Sequence, residues 1–168
     1  MSTAAAAKAQ FWLERTYKAD LQDVWDLWTT KQGIESWWGP EGFEVKVERL
    51  DLRPGGHLVY IMTAVAAAQV GFMKQAGMPL TTECRVTYTE VAGPTRLSFN
   101  TLADFVPGVE PYEVETRVEF EEVGDEIRIV ISHDAMHDDF WTGRARAGEE
   151  SQLRKLDRLI RDRSTSAP

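Results

Sequence analysis

The sequence predicts an α+β fold in which one antiparallel sheet of about seven strands is covered by a single long C-terminal helix. Three observations carry this. Short period-two runs follow one another with tight turns between them, the pattern of antiparallel pairing rather than of strand–helix–strand crossovers. The clearest run, YEVETRVEFEE (112–122), sets Val114, Thr116, Val118 and Phe120 on one face and Glu113, Glu115, Arg117, Glu119 and Glu121 on the other. Such a strand has one buried and one wet side. The only long helical pattern, 138–161, ends the chain, and nothing else is long enough to cover the buried face.

Taken in order, FWLERTYKA (11–19) alternates as a strand. Asp20 then caps a helix, with Asp23 as partner three residues on, and Leu21, Val24, Trp25 and Trp28 recur at helical spacing. A second short helix runs from about Lys31 to Trp38, where Gly39, Pro40 and Gly42 end it. FEVKVERLDL (43–52) alternates early and blurs later, as at a bulge. RPGG (53–56) is a hairpin turn in which Pro54 fixes one dihedral and Gly55 and Gly56 allow positive φ, and HLVYIMT (57–63) is the partner strand. The insertion at 64–79 reads as an amphipathic helix with Val65, Ala68, Phe72 and Met73 near one face, closed by Gly77 and Pro79. Strands follow at 81–91, 96–102, 112–122 and 126–133. Asp138 and Asp139 open the last helix, where negative charge suits the N-terminal dipole. Residues 1–9 and 163–168 read as flexible tails around one domain, 10–162.

Composition narrows the function. The 168 residues suit one domain. A net charge of −8, with no basic cluster before the last helix, argues against nucleic acid and against anionic membrane as partners. No apolar run approaches the roughly 20 residues of a membrane span, and the N-terminus lacks a signal-peptide pattern. One cysteine, Cys84, permits no internal disulfide. The expectation is a cytoplasmic protein.

The last helix is thin in its first half. Phe140 and Trp141 are followed by Gly143, Ala145, Ala147 and Gly148, whereas Leu153, Leu156, Leu159 and Ile160 form an ordinary core stripe. Either helix and sheet touch closely there, or a hollow lies between them. In EIRIVISH (126–133), Ile127, Ile129 and Ile131 face the same way as His133. An imidazole therefore ends an apolar inward row, as a satisfied core histidine or as a polar handle in a pocket. His133 and His137 stand four apart across a strand end, not on one helix face, so no metal site is expected, and no pattern calls for a cofactor. Cys84 reads as a small hydrophobe, and no Gly-x-Ser-x-Gly elbow exists. Asp104 and Glu113 flank the loop 103–111 and, with His133, are the acid–base candidates. Met62, Phe72, Met73, Phe99, Phe105 and Tyr112 gather in the insertion, the loops and the strand ends, where soft and aromatic side chains suit a variable guest.

VWDLWTTKQGIESWWGPEGF, then LDLRPGGHLVYIM, then the antiparallel run ending IVISHDAM and the terminal helix resemble the SRPBCC (START-like) superfamily, and within it the homologues of the heat-shock-protein ATPase activator. The resemblance spans about residues 11–160. It implies a helix-grip fold, with a curved sheet around the long helix and a cavity between them. It also implies binding of an apolar or aromatic small molecule, and some relatives act as cyclases or hydrolases. In such a fold one of Trp37 and Trp38 plugs the core and the other lines the mouth. Trp141 and Gly148 then join the ligand-contacting set from the helix side. The insertion at 64–79 departs from the family pattern, being longer than a plain hairpin connection, and would act as a lid. Eukaryotic co-chaperones of the family carry a further N-terminal domain, for which this length leaves no room. Three functions stay open: a small-ligand receptor, an acid–base enzyme using the same cavity, and a co-chaperone-like interaction module. A homodimer through the tryptophan region is compatible with each.

Overall fold

The computed structural model describes residues 9–104 and 106–166, with side chains to residue 163. Its elements are β1 (Gln10–Tyr17), α1 (Leu21–Thr29), α2 (Lys31–Trp37), β2 (Phe43–Leu50), β3 (His57–Ala64), α3 (Ala67–Gln75), β4 (Thr81–Ala92), β5 (Arg96–Ala103), β6 (Tyr112–Val123), β7 (Glu126–Asp134) and α4 (Asp139–Ser166). The strands form one antiparallel, curved sheet in the order β1-β7-β6-β5-β4-β3-β2. The alternation in 112–122 survives intact: Val114, Thr116, Val118 and Phe120 are buried. The blurred part of 43–52 is a register shift between Val47 and Arg49.

Local chemistry explains the boundaries. Asp20 accepts from the amides of Gln22 and Asp23, capping α1, and Asp138 accepts from Trp141 N at 2.8 Å, capping α4. In the 53–56 turn only Gly55 takes a positive φ, 85°. Gly56 is there for space, since a Cβ on it would lie 2.1 Å from Asp51 O.

Two expectations need correction. The α3 segment does not present an apolar face to the sheet: Met73 is its only buried residue, and Phe72 is 58% exposed. It docks instead on the preceding turn, where Gln69 packs against Gly42 and Gly42 O accepts from Val65 N and Ala66 N. The final helix does not stop near Arg161 but continues to Ser166, because no breaker intervenes before Pro168. Residues 1–8 of the expected N-terminal tail lie outside the described residues. Among the described residues no helix is long and apolar enough to cross a membrane.

The core lies between the concave face of the sheet and the helices. Leu153, Leu156 and Ile160 bury the second half of α4 against it, together with Leu13, Ile129, Phe120 and Trp28. The α4 helix is clamped from both sides. Tyr17 donates to Asp157 at 2.5 Å, and Arg15 pairs with the same carboxylate. On the other side, Lys155 Nζ donates to the carbonyls of Trp38, Gly39 and Phe43 at 3.0–3.2 Å. Gln152 Oε1 accepts from Gly39 N, and Glu41 pairs with Arg154 and Arg158. Gly39, at φ 87°, gives this turn its shape. The turn after the paired tryptophans is thus the latch that sets how far α4 stands from the sheet.

Candidate functional site

The first half of α4 does stand off. The open space around Gly143 and Gly148, where a Cβ would meet nothing within 4 Å, does not bear on this, because Gly143 is exposed and neither glycine lines the cleft. Between this part of the helix and the concave face lies a cleft of about 190 Å³. From α4 it is lined by Ala145, Glu149 and Gln152, spaced four and three residues apart on one face. The sheet contributes Tyr60 from β3, Val86 from β4, Phe99 and Thr101 from β5, Val114 and Thr116 from β6, and His133 from β7. Trp38 closes the inner end, with its ring centroid 6.0 Å from that of Phe99 and 6.4 Å from that of Tyr60. Leu102, Ala103 and Met136 complete the rim.

The paired tryptophans divide the work. Trp37 is fully buried, donates its indole N–H to Leu27 O at 2.8 Å, and packs edge-on against Trp28. It is the plug and does not reach the cleft. Trp38 is also buried, at 5% exposure, yet its ring forms a cleft wall. With both indoles inside, the expected dimer surface at this segment has no exposed tryptophan to use.

Of the candidate ligand contacts, the fold brings Trp38, Phe99 and His133 to the cleft. Met62 packs on the core near Gly39, and Met73 is buried under α3. Phe72 points to solvent, and no residue of α3 lines the cleft, so the expected lid does not cover it. Gly148 is not part of the lining, because the inward face of α4 runs through its neighbour Glu149. Tyr112 and Trp141 assemble elsewhere, around His137, where Tyr112 Oη lies 3.2 Å from Nδ1. Phe105 lies outside the described residues. Asp104 and Glu113 are exposed, and Glu113 accepts from Asn100. Neither carboxylate lines the cleft beside His133.

The polar groups of the cleft are few. His133 Nδ1 lies 2.7 Å from Asp134 O and must carry the proton, because a carbonyl only accepts. The ring stacks on Phe11 at 4.7 Å. Burial lowers its pKa, against the opposing pull of Asp134, so at neutral pH it is uncharged and Nε2 is an acceptor. Tyr60 is held protonated by burial and by neighbouring Cys84, and the Cys84 thiol is itself pushed up by burial. Glu149 is the group that reading the sequence missed. It lines the cleft, where no Lys or Arg is found among the described residues, and burial pushes its pKa up to about 7. A signal was present: Glu149 falls on the stripe Ala145, Glu149, Leu153, Leu156, Ile160, where every other member is apolar. Among the described residues, no group of three His, Cys, Asp or Glu could hold a metal ion.

A curved antiparallel sheet closed around a long C-terminal helix, with two short helices after the first strand, defines the helix-grip class. Residues 18–161 match the family model described as Activator of Hsp90 ATPase homolog 1-like protein, and the chain belongs to that family. Solved structures agree on the fold. A Chromobacterium violaceum protein superposes with a TM-score of 0.72 at 20% identity, covering 90% of this chain and 96% of that one. An Arthrobacter aurescens protein does so at 0.65 and 24%, covering 90% and 83%. The AHSA1 protein of Silicibacter pomeroyi gives 0.66 and 22%, covering 88% and 94%. No curated protein matches this chain.

Proposed function

We propose that this protein binds a small apolar or aromatic molecule in the cleft between sheet and α4. The observation that supports it most is the contrast within one helix. Leu153, Leu156 and Ile160 are buried in the core, while Ala145 only touches its edge and, with Glu149, lines a cleft walled by Trp38, Tyr60 and Phe99. A protein gains nothing in stability from such a gap, since lining atoms without partners forgo dispersion contacts, so a guest is the economical reason to keep it. Native mass spectrometry of freshly purified protein tests this. A bound organic molecule released on denaturation supports the reading, and repeated preparations of bare protein that also bind no aromatic probe overturn it.

Glu149 favours a second reading, acid–base catalysis in the same cleft. A carboxyl that titrates at about 7 is half protonated at neutral pH, which suits a proton donor or acceptor. Under this reading Glu149→Gln lowers turnover by orders of magnitude while ligand binding persists. The compartment we assign is the cytoplasm, where the one cysteine, Cys84, partly buried and unpaired with another thiol, stays reduced.

A further inference from the structure

We infer that the cleft selects an apolar or aromatic amine, whose ammonium group pairs with Glu149 while its hydrocarbon part lies against Trp38, Tyr60 and Phe99. The inference rests on the receptor reading above and names the chemical class of the guest.

Among the described residues, Glu149 is the one acidic side chain lining the cleft, and no Lys or Arg lines it. Glu149 is half-buried, and a carboxylate that faces an apolar cleft without a countercharge is only partly compensated by water, which is the direction in which burial raises its pKa. A ligand that brings a positive charge removes that penalty. A carboxylate or phosphate ligand would add to it, in a chain already at −8. The walls point the same way: the rings of Tyr60 and Phe99 converge on that of Trp38, and the face of an aromatic ring attracts cations. His133 does not neutralise Glu149. Its Nδ1–H is committed to Asp134 O, so its other nitrogen offers a second acceptor for an ammonium N–H. The volume, about 190 Å³, suits one ring with a short chain; an apolar cavity of roughly 150 Å³ is known to hold benzene.

The pairing makes binding depend on pH. The titratable groups facing Glu149 are Tyr60 from β3, with Cys84 of β4 behind it, and His133 from β7. Burial keeps the first two protonated and the third neutral. Glu149 is therefore the group that changes charge near neutrality, while an alkylammonium stays charged up to about pH 10. If only the ionised form takes the amine, apparent affinity follows the ionised fraction and rises about tenfold between about pH 6 and pH 8.

Isothermal titration of the full chain with 2-phenylethylamine, propylbenzene and phenylacetate tests this. The expected result at about pH 8 is amine binding at least roughly tenfold tighter than propylbenzene, the scale of one charged contact. The advantage shrinks towards pH 6 and is lost in Glu149→Gln. Folding of that variant is checked by its urea midpoint at about pH 5, where the wild-type carboxyl is also neutral. Equal binding of amine and propylbenzene, or a preference for phenylacetate, overturns the amine inference and leaves the receptor reading standing. An amine preference that persists in Glu149→Gln overturns it as well. Failure of all three probes to bind overturns both.

Discussion

Replacing Ala145 by Leu asks directly whether α4 stands off the sheet. Ala145 projects from the inward face of the helix, one turn before Glu149, into a cleft of about 190 Å³. A leucine adds three carbons. If they enter open apolar space, each contributes about 0.8 kcal/mol, and ordering the side chain takes back about 0.5–1 kcal/mol, leaving a net gain on the order of 1.5 kcal/mol. If helix and sheet are instead packed solid there, the same leucine is forced into filled space and destabilises by about 1–3 kcal/mol. The two pictures differ in sign, not only in size. Urea unfolding of wild type and variant, followed by tryptophan fluorescence, reads the difference as a shift in midpoint at constant slope. A lower midpoint for Ala145→Leu refutes the hollow. The same variant should lose affinity for any cleft ligand, because the leucine occupies the guest's place.

Three further outcomes are expected. Lys155→Met keeps the aliphatic stem but removes the ammonium that bridges the carbonyls of Trp38, Gly39 and Phe43. It should cost about 1–3 kcal/mol in urea unfolding, and an unchanged midpoint would mean that the turn is not a latch. Glu149 has a native pKa of about 7 against an ordinary 4.5. The stability it confers is full below about 4.5 and is lost as pH rises through 7, an effect of at most about 3 kcal/mol. Glu149→Gln should therefore gain stability relative to wild type as pH rises from about 4 to about 8, and parallel pH profiles would show the carboxyl to be solvated. Trp37→Ala should destabilise by about 3–5 kcal/mol, whereas Trp38→Phe should lose less stability but weaken binding of an aromatic probe, and the reverse ranking would exchange their roles.

The sheet was legible because period-two alternation with one wet face leaves little choice of structure, as in 112–122. His133 was legible for the same reason, since three isoleucines at the same parity fix its side of β7. The α3 helix was misjudged because a two-turn insertion is placed by what it docks on, here Gly42 through Gln69, and not by its own weak stripe. Tyr112 and Trp141 were expected to contact the ligand, but their rings gather around His137 and neither lines the cleft. Glu149 escaped notice because Glu149 and Glu150 together look like an ordinary charged helix face. Only one of them turns inward, and the other pairs with Arg146 at the surface. The angle of α4 that makes this distinction is set by Tyr17, Gln152 and Lys155, contacts across more than a hundred residues of sequence.

The central claim is that a guest occupies the space beneath the first half of α4. Methyl-resolved NMR titration with propylbenzene and 2-phenylethylamine tests it most directly. Shifts confined to Ala145, Val86, Val114 and Leu102, with Leu153 and Leu156 unmoved, are the predicted result. No saturable shifts, or shifts scattered over the outer face of the sheet, would contradict it.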